Sequence, residues 1–251
     1  MTDNKKRMRV LVACEYSGTV RDAFIKAGHD AMSCDLLPTD VPGPHYQGSV
    51  FDILDDGWDL MIGHPPCTYL TLTGNKWFKP EFAHRFPDRH RQREEAVEFF
   101  RRLYECNIPK VCLENPVGVL STLYMKATQY IQPYQFGDPH SKKTGLWLKN
   151  LPPLVPTKLV EPMFHIYKDG RRDPIWHYES MRMSPLERMK YRSKTFQGIA
   201  DAMAQQWGTM PADIEPTKPK KRGVHDDIAR LTSDLAALRA EFDAFKNSKS
   251  A

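Results

Sequence analysis

The chain has 251 residues, 41% of them hydrophobic, and a formal net charge of +5. This suits one core-forming domain with a small appendage and excludes a chain too polar to fold. The five cysteines (Cys14, Cys34, Cys67, Cys106, Cys112) are odd in number and include no CxxC pair, which argues against a disulfide framework and a structural zinc site.

Met8–Ala13 reads as a first buried strand, followed by a turn at Cys14–Gly18 and a short helix through Val20, Phe24 and Ile25 that Gly28 ends. Asp30–Asp35 reads as a second strand ending in an acid, and Asp59–Ile62 as a short apolar strand. A helix is expected over Arg91–Cys106, with Val97, Phe100, Leu103 and Tyr104 on one face. Lys110–Leu113 reads as a strand ending at Glu114-Asn115-Pro116, and Gly145–Leu148 as another. Strands alternating with helices predict an α/β fold with a mainly parallel sheet, whose ligands sit beyond the carboxyl ends of the strands. That places Glu15, Asp35, Cys67 and Glu114 along one rim.

Residues 151–190 are interrupted by Pro152, Pro153, Pro156 and Pro162 and read as a small irregular insertion between two parts of a catalytic domain, 1–150 and 191–209. Helical spacing returns at Gln197–Trp207. Residues 210–223 read as a linker. In 224–248, Val224, Ile228, Leu231, Leu235, Leu238, Phe242 and Phe245 alternate spacings of 4 and 3, a heptad seam that predicts a coiled-coil helix and a homo-oligomer. Basic clusters fall at His84–Arg93, Arg188–Lys194 and Lys218–Arg222, and such clusters can neutralise phosphates. Met1–Lys6 leads straight into the first strand pattern and no apolar run spans a membrane, so neither a signal peptide nor a membrane partner is expected, and free cysteines fit a reducing cytoplasm.

The turn Cys14-Glu15-Tyr16-Ser17-Gly18 holds a single glycine, so it does not cradle phosphate, and Asp35 stands where nucleotide-type folds bind ribose hydroxyls. S-adenosylmethionine is a cofactor with no phosphate that fits this layout. Pro65 and Pro66 stiffen the turn that carries Cys67. A thiol there is either a small buried hydrophobe or a nucleophile awaiting activation. Glu114 is either a cap or surface acid, or the partner that assists N3 of a pyrimidine while a thiolate attacks C6.

Gly63-His64-Pro65-Pro66-Cys67 and Glu114-Asn115-Pro116 resemble the Pro-Cys and Glu-Asn motifs of DNA (cytosine-5) methyltransferases, and Arg192–Ala200 resembles segments of compact, phage-associated members. The resemblance covers residues 8–208. It implies a Rossmann-like S-adenosylmethionine-dependent fold, DNA as partner, and a bacterial or phage-infected cytoplasm. It also implies that Cys67 adds to C6 of a flipped cytosine, that Glu114 assists at N3, and that a methyl or modified methyl group passes from S-adenosylmethionine or a derivative to C5. Implied cofactor contacts are Cys14, Glu15, Tyr16, Ser17, Gly18, Asp35, Leu36, Asp52, Ile53 and Pro65. Tyr69–Asp88 would be a mobile loop closing over DNA, with Lys76, Arg85, Arg89 and Arg192 as DNA contacts. The sequence departs from the family where a Gln-x-Arg-x-Arg segment is usual. His140-Ser141-Lys142-Lys143-Thr144 stands there, and Lys143 is expected to do the arginine's work near the catalytic centre.

Two other readings remain open at this point. One is folate-dependent C5 chemistry on a free pyrimidine nucleotide, of the thymidylate synthase type. The other is a non-catalytic DNA-binding or assembly protein.

Overall fold

The computed structural model describes residues 7–209, so the expected linker and heptad helix lie outside the described residues. β1 (Arg9–Ala13), α1 (Thr19–Lys26), β2 (Asp30–Asp35) and β3 (His45–Gln47) form the first half of the domain. β4 (Leu60–Gly63), α2 (Arg89–Tyr104), β5 (Lys110–Pro116), α3 (Leu120–Leu123), β6 (Gln129–Ile131) and β7 (Thr144–Lys149) form the second. One sheet has the order β3-β2-β1-β4-β5-β7-β6. Its first five strands are parallel, and β7 runs antiparallel to both β5 and β6. This is the expected mainly parallel, Rossmann-like α/β sheet.

Alternation along the central strands decides which layer each residue meets. Val10 and Val12 of β1, with Leu60 and Ile62 of β4, join one core with Phe24 of α1 and with Ile199, Met203 and Trp207 of α6 (Gln197–Trp207). Leu11, Ala13, Met61, Val111 and Leu113 face the opposite way, into a core with Phe100 and Leu103 of α2. Both faces are covered, so the central strands read as continuous apolar runs rather than as alternating ones. The order reverses between β1 and β4, where the chain leaves for opposite faces. The open crevice of a doubly wound sheet lies there, beyond the carboxyl ends of β1 and β4.

Residues 151–190 are more regular than their prolines suggest. They hold an antiparallel pair, β8 (Phe164–Ile166) and β9 (Arg172–Pro174), and the helix α4 (Ile175–Ser180). α5 (Pro185–Ser193) starts inside this stretch and runs past residue 190. Ser184 and Glu187 cap it reciprocally and Pro185 opens its first turn. α5 is tied to the first half of the sheet: Tyr16 donates to the Lys190 carbonyl at 2.8 Å, and Lys190 pairs with Asp40 at 2.8 Å.

The turn after β1 is held from within. Glu15, 4% exposed, accepts the backbone N–H groups of Val20 at 2.7 Å and Arg21 at 3.2 Å. It thereby satisfies orphan donors in the first turn of α1, where Gly18 as N-cap offers no side chain. Glu15→Ala should therefore cost about 1–2 kcal/mol of stability, as loss of a cap does. Urea denaturation checks this, and a midpoint equal to the wild type's would show that the carboxylate is dispensable to α1.

Candidate active site

β4 leaves the sheet at Gly63, which pairs with Leu113 of β5. The next residues on the two strands, His64 and Glu114, therefore lie side by side, as parallel neighbours about 4.8 Å apart do. Their side chains meet: His64 Nδ1 is 3.0 Å from a Glu114 carboxylate oxygen, with 8% and 15% of the side chains exposed. Glu114 is not at a strand end, because β5 continues through Pro116, paired only with β7. It faces the α6 layer, as do His64 and Thr144.

The turn that follows β4 is fastened to β5 and its continuation. The Asn115 amide donates to the Pro65 carbonyl at 2.8 Å, which anchors a proline pair with no N–H of its own to offer. Val119 N–H donates to the Leu70 carbonyl at 2.8 Å. A Cβ on Gly118 would stand 2.0 Å from that same carbonyl oxygen, so glycine is required for the approach. Cys67 lies between these two fastenings.

The electrostatics bring Cys67, Glu114 and two cations together. Burial, then the charge of Glu114, pushes the Cys67 thiol above the ordinary cysteine range, while Lys142 and Arg192 pull it partly back. Burial alone would raise Glu114. The hydrogen bond from His64, the charges of Lys142 and His64, and the Thr144 hydroxyl overcome it and hold the carboxyl below its ordinary value. The thiol is thus kept protonated and the acid ionised.

On the other side of the turn a cavity of about 440 Å³ opens beyond β1 and β2. Cys14, Cys34, Asp35, Leu36, Val50 and Phe99 line it, with Pro66 and Tyr69 from the turn that carries Cys67. The volume lies within the ~300–1,000 Å³ of small-molecule sites. Its apolar wall suits a base, and Asp35 presents a carboxylate at the strand end. Cys14 adopts φ 58°, a left-handed conformation that glycine would take more easily.

The expected site residues separate into several groups. Cys14, Asp35 and Leu36 line the cavity. Glu15 caps α1, and Tyr16 is spent on α5. Ser17 hydrogen-bonds Glu15 and Thr19. Gly18 makes room for Arg21, whose guanidinium would lie 2.5 Å from a Cβ there. Asp52 accepts from Tyr46, and Ile53 is a core residue whose carbonyl accepts from Trp58. Pro66, rather than Pro65, faces the cavity. Lys143 does not serve the centre: its ammonium sits 4.8 Å over the Tyr130 ring, and the charge felt at Glu114 and Cys67 is that of Lys142.

The segment after Cys67 is built around aromatic rings and arginines, with 3-10 helices at Leu72–Phe78 and Pro80–Phe82. Trp77 packs edge-on to Phe82 and Phe86. Lys76 and Arg85 lie over Trp77, and Arg89 lies 5.1 Å over both Phe78 and Phe86. Arg192 lies 5.5 Å over the Trp176 ring, away from this segment's own aromatic cluster. Among the described residues no group of three or more histidine, cysteine or acidic side chains could hold a metal. No helix among them is long and apolar enough to cross a membrane.

No family model matches the chain, and no curated protein does. Among solved structures, the S. pombe Dnmt2 methyltransferase is similar at 16% identity and a TM-score of 0.40, over 59% of this chain and 51% of that one. WbdD, in a co-crystal with the kinase inhibitor LY294002, is similar at 12% identity and a TM-score of 0.33, over 67% of this chain and 39% of that one. This chain thus spans about half the length of the first and two fifths of the second. Likenesses this slight carry no argument about activity.

The lowered Glu114 carboxyl has a consequence for stability. A folded-state value below the unfolded one stabilises the fold at pH above the ordinary glutamate value of ~4.3, and that contribution is lost as pH falls through the folded value. The acid sensitivity of the wild type should therefore exceed that of Glu114→Gln below about pH 4.3. Urea midpoints measured from neutral to acidic pH check this, and parallel curves would show that Glu114 is not held ionised.

Proposed function

We propose that the chain is an S-adenosylmethionine-dependent methyltransferase acting at C5 of cytosine in DNA. The observation that carries this reading is the convergence of Cys67 and Glu114, thiol and acid, beside a cavity that shares the nucleophile's turn. The cavity fits S-adenosylmethionine in volume and lining, with Asp35 placed for the ribose hydroxyls and Val50 and Phe99 for the adenine. When bound, S-adenosylmethionine or a derivative of it supplies the electrophilic methyl or modified methyl group for C5.

The chain's own residues do the rest. Cys67 Sγ forms a bond to C6 of an extruded cytosine after its proton leaves to solvent, and the displaced electron pair enriches C5. Lys142 and Arg192 favour the thiolate that this step needs. The Glu114 carboxylate accepts from the amino group of the base. On taking up a proton from solvent as the base enters, it gives that proton to N3 as sulfur adds and takes it back when the thiolate leaves, while His64 holds its other oxygen. Water takes the proton from C5, the electron pair of that C–H bond re-forms the C5–C6 double bond, and the C6–S bond breaks as the thiolate departs. The Lys76–Arg89 segment, with its cations over half-buried rings, is the face that closes over the DNA backbone. The heptad pattern of 224–248 is the part of the chain that would meet a second copy.

Labelled S-adenosylmethionine incubated with DNA tests the chemistry. Wild type should transfer label and Cys67→Ala should not. His64→Ala should lower kcat by about 10²-fold, as loss of an orienting partner does. Transfer that survives Cys67→Ala would sink the mechanism, and label on free dCMP but not on DNA would move the reading to a nucleotide enzyme. Sedimentation of the full chain against one ending at Thr209 checks the association. A larger assembly is expected for the full chain alone, and two monomers would refute it.

A further inference from the structure

A second pocket, of about 170 Å³, opens beside the catalytic residues on the α6 side of the sheet. His140, Lys142, Trp176, Tyr191, Arg192 and Lys194 are among its walls. It shares Lys142, Thr195 and Phe196 with the small crevice that contains Glu114 and Thr144. Its two inner cations, Lys142 and Arg192, are the two whose charges reach the Cys67 thiol.

The cations here are only partly matched. Lys142 donates to the Arg192 carbonyl at 3.0 Å, a single neutral acceptor for an ammonium with three donors. Arg192 lies 5.5 Å over the Trp176 ring. Glu114 in the adjoining crevice feels the charge of Lys142 but is hydrogen-bonded to His64, and the other nearby acids are committed elsewhere: Asp138 to the Gly198 N–H, Glu179 to the Tyr191 hydroxyl, Asp40 to Lys190 and Lys194. His140 Nδ1 is buried with no hydrogen-bond partner among the described residues. Its ring packs 5.0 Å from Phe196, and burial pushes its basicity down, so it stands neutral among the cations. A buried ring nitrogen without a partner, walled by an ammonium and a guanidinium, is short of an anion with several acceptor oxygens. Arginine and lysine together suit a phosphate in this way.

We propose that this pocket binds the phosphate attached to the nucleoside whose base meets Cys67 and Glu114. The proposal rests on the reading of those two residues as a cytosine site and adds the anchor that holds the nucleotide there. The phosphate comes either from a free nucleotide, as a monoester, or from a polynucleotide, as a diester.

The full chain is titrated calorimetrically with deoxycytidine, with dCMP and with a short single-stranded oligonucleotide containing one cytosine. The proposal expects a phosphate-bearing ligand to bind about tenfold or more tightly than deoxycytidine. Arg192→Gln and, separately, Lys142→Gln should remove most of that advantage. Tight dCMP assigns the monoester source, and tight oligonucleotide with weak dCMP assigns the diester source. Equal binding of all three ligands overturns the proposal, as does an advantage unchanged in both variants. Thermal melting identifies a variant that fails to fold, and the other then decides. Label transfer to DNA, assayed in parallel, keeps the two ideas apart. Transfer without a phosphate advantage rejects this pocket alone, and an advantage without transfer rejects the methylation reading alone.

Discussion

The amide of Asn115 donating to the carbonyl of Pro65 is the constraint on which the site depends. Two prolines in succession fix backbone torsions and remove two donors, so the turn's own backbone hydrogen bonds, from Leu70 and Thr71 to the Cys67 carbonyl, leave the proline pair untied. A buried side chain from the neighbouring strand supplies the missing partner. Because Asn115 follows Glu114 in the same strand, the tie that holds the nucleophile's turn also fixes the acid's distance from it. The pairing of His64 with Glu114 adds a second fastening one residue earlier. Cys67 and Glu114 are positioned against each other by the sheet's own ladder, whatever occupies the cavity.

Electrostatically the site is a compromise. The thiol is buried beside an ionised acid, which makes it a poor nucleophile at rest. The same two cations that moderate this line the second pocket. The chain thus sets the charges of Lys142 and Arg192 where they act on the Cys67 thiol and face the second pocket at once.

Much of the scaffold was legible from apolar patterning. β2 and α6 fall where the spacing puts them, and β1, β4, α1 and α2 differ by only a few residues at their ends. α5 was also written in the sequence, in Ser184-Pro185-Leu186-Glu187, but the prolines before it suggested irregular chain. The short strands β3, β8 and β9 are too brief to show a period. At the site, Cys67 and Asp35 could be named because strand ends are where ligands gather; Glu114 was named on the same ground although its strand runs on to Pro116, and Cys14 came from the family resemblance. Glu15 could not be told from a ligand, because a carboxylate just before a helix start serves equally as a cap. The choice between Lys142 and Lys143 depended on strand phase. With a period of two, residue 142 shares the side of Thr144, while residue 143 turns away to Tyr130. Likewise the meeting of His64 with Glu114 follows from the register of β4 against β5, which no local pattern carries.

The stretch between β7 and α6 invites treatment as a cassette that could be exchanged to redirect recognition. Its wiring argues otherwise. α5 receives the Tyr16 hydroxyl and binds Asp40, both from loops at the β1 and β2 ends, and Arg192 just within its last turn holds Lys142 in place. Swapping this stretch would cut supports of the cofactor side and the acid side together. Single surface positions on the β8–β9 hairpin make none of these ties, so substitutions there leave both supports intact while replacement of the whole stretch removes them.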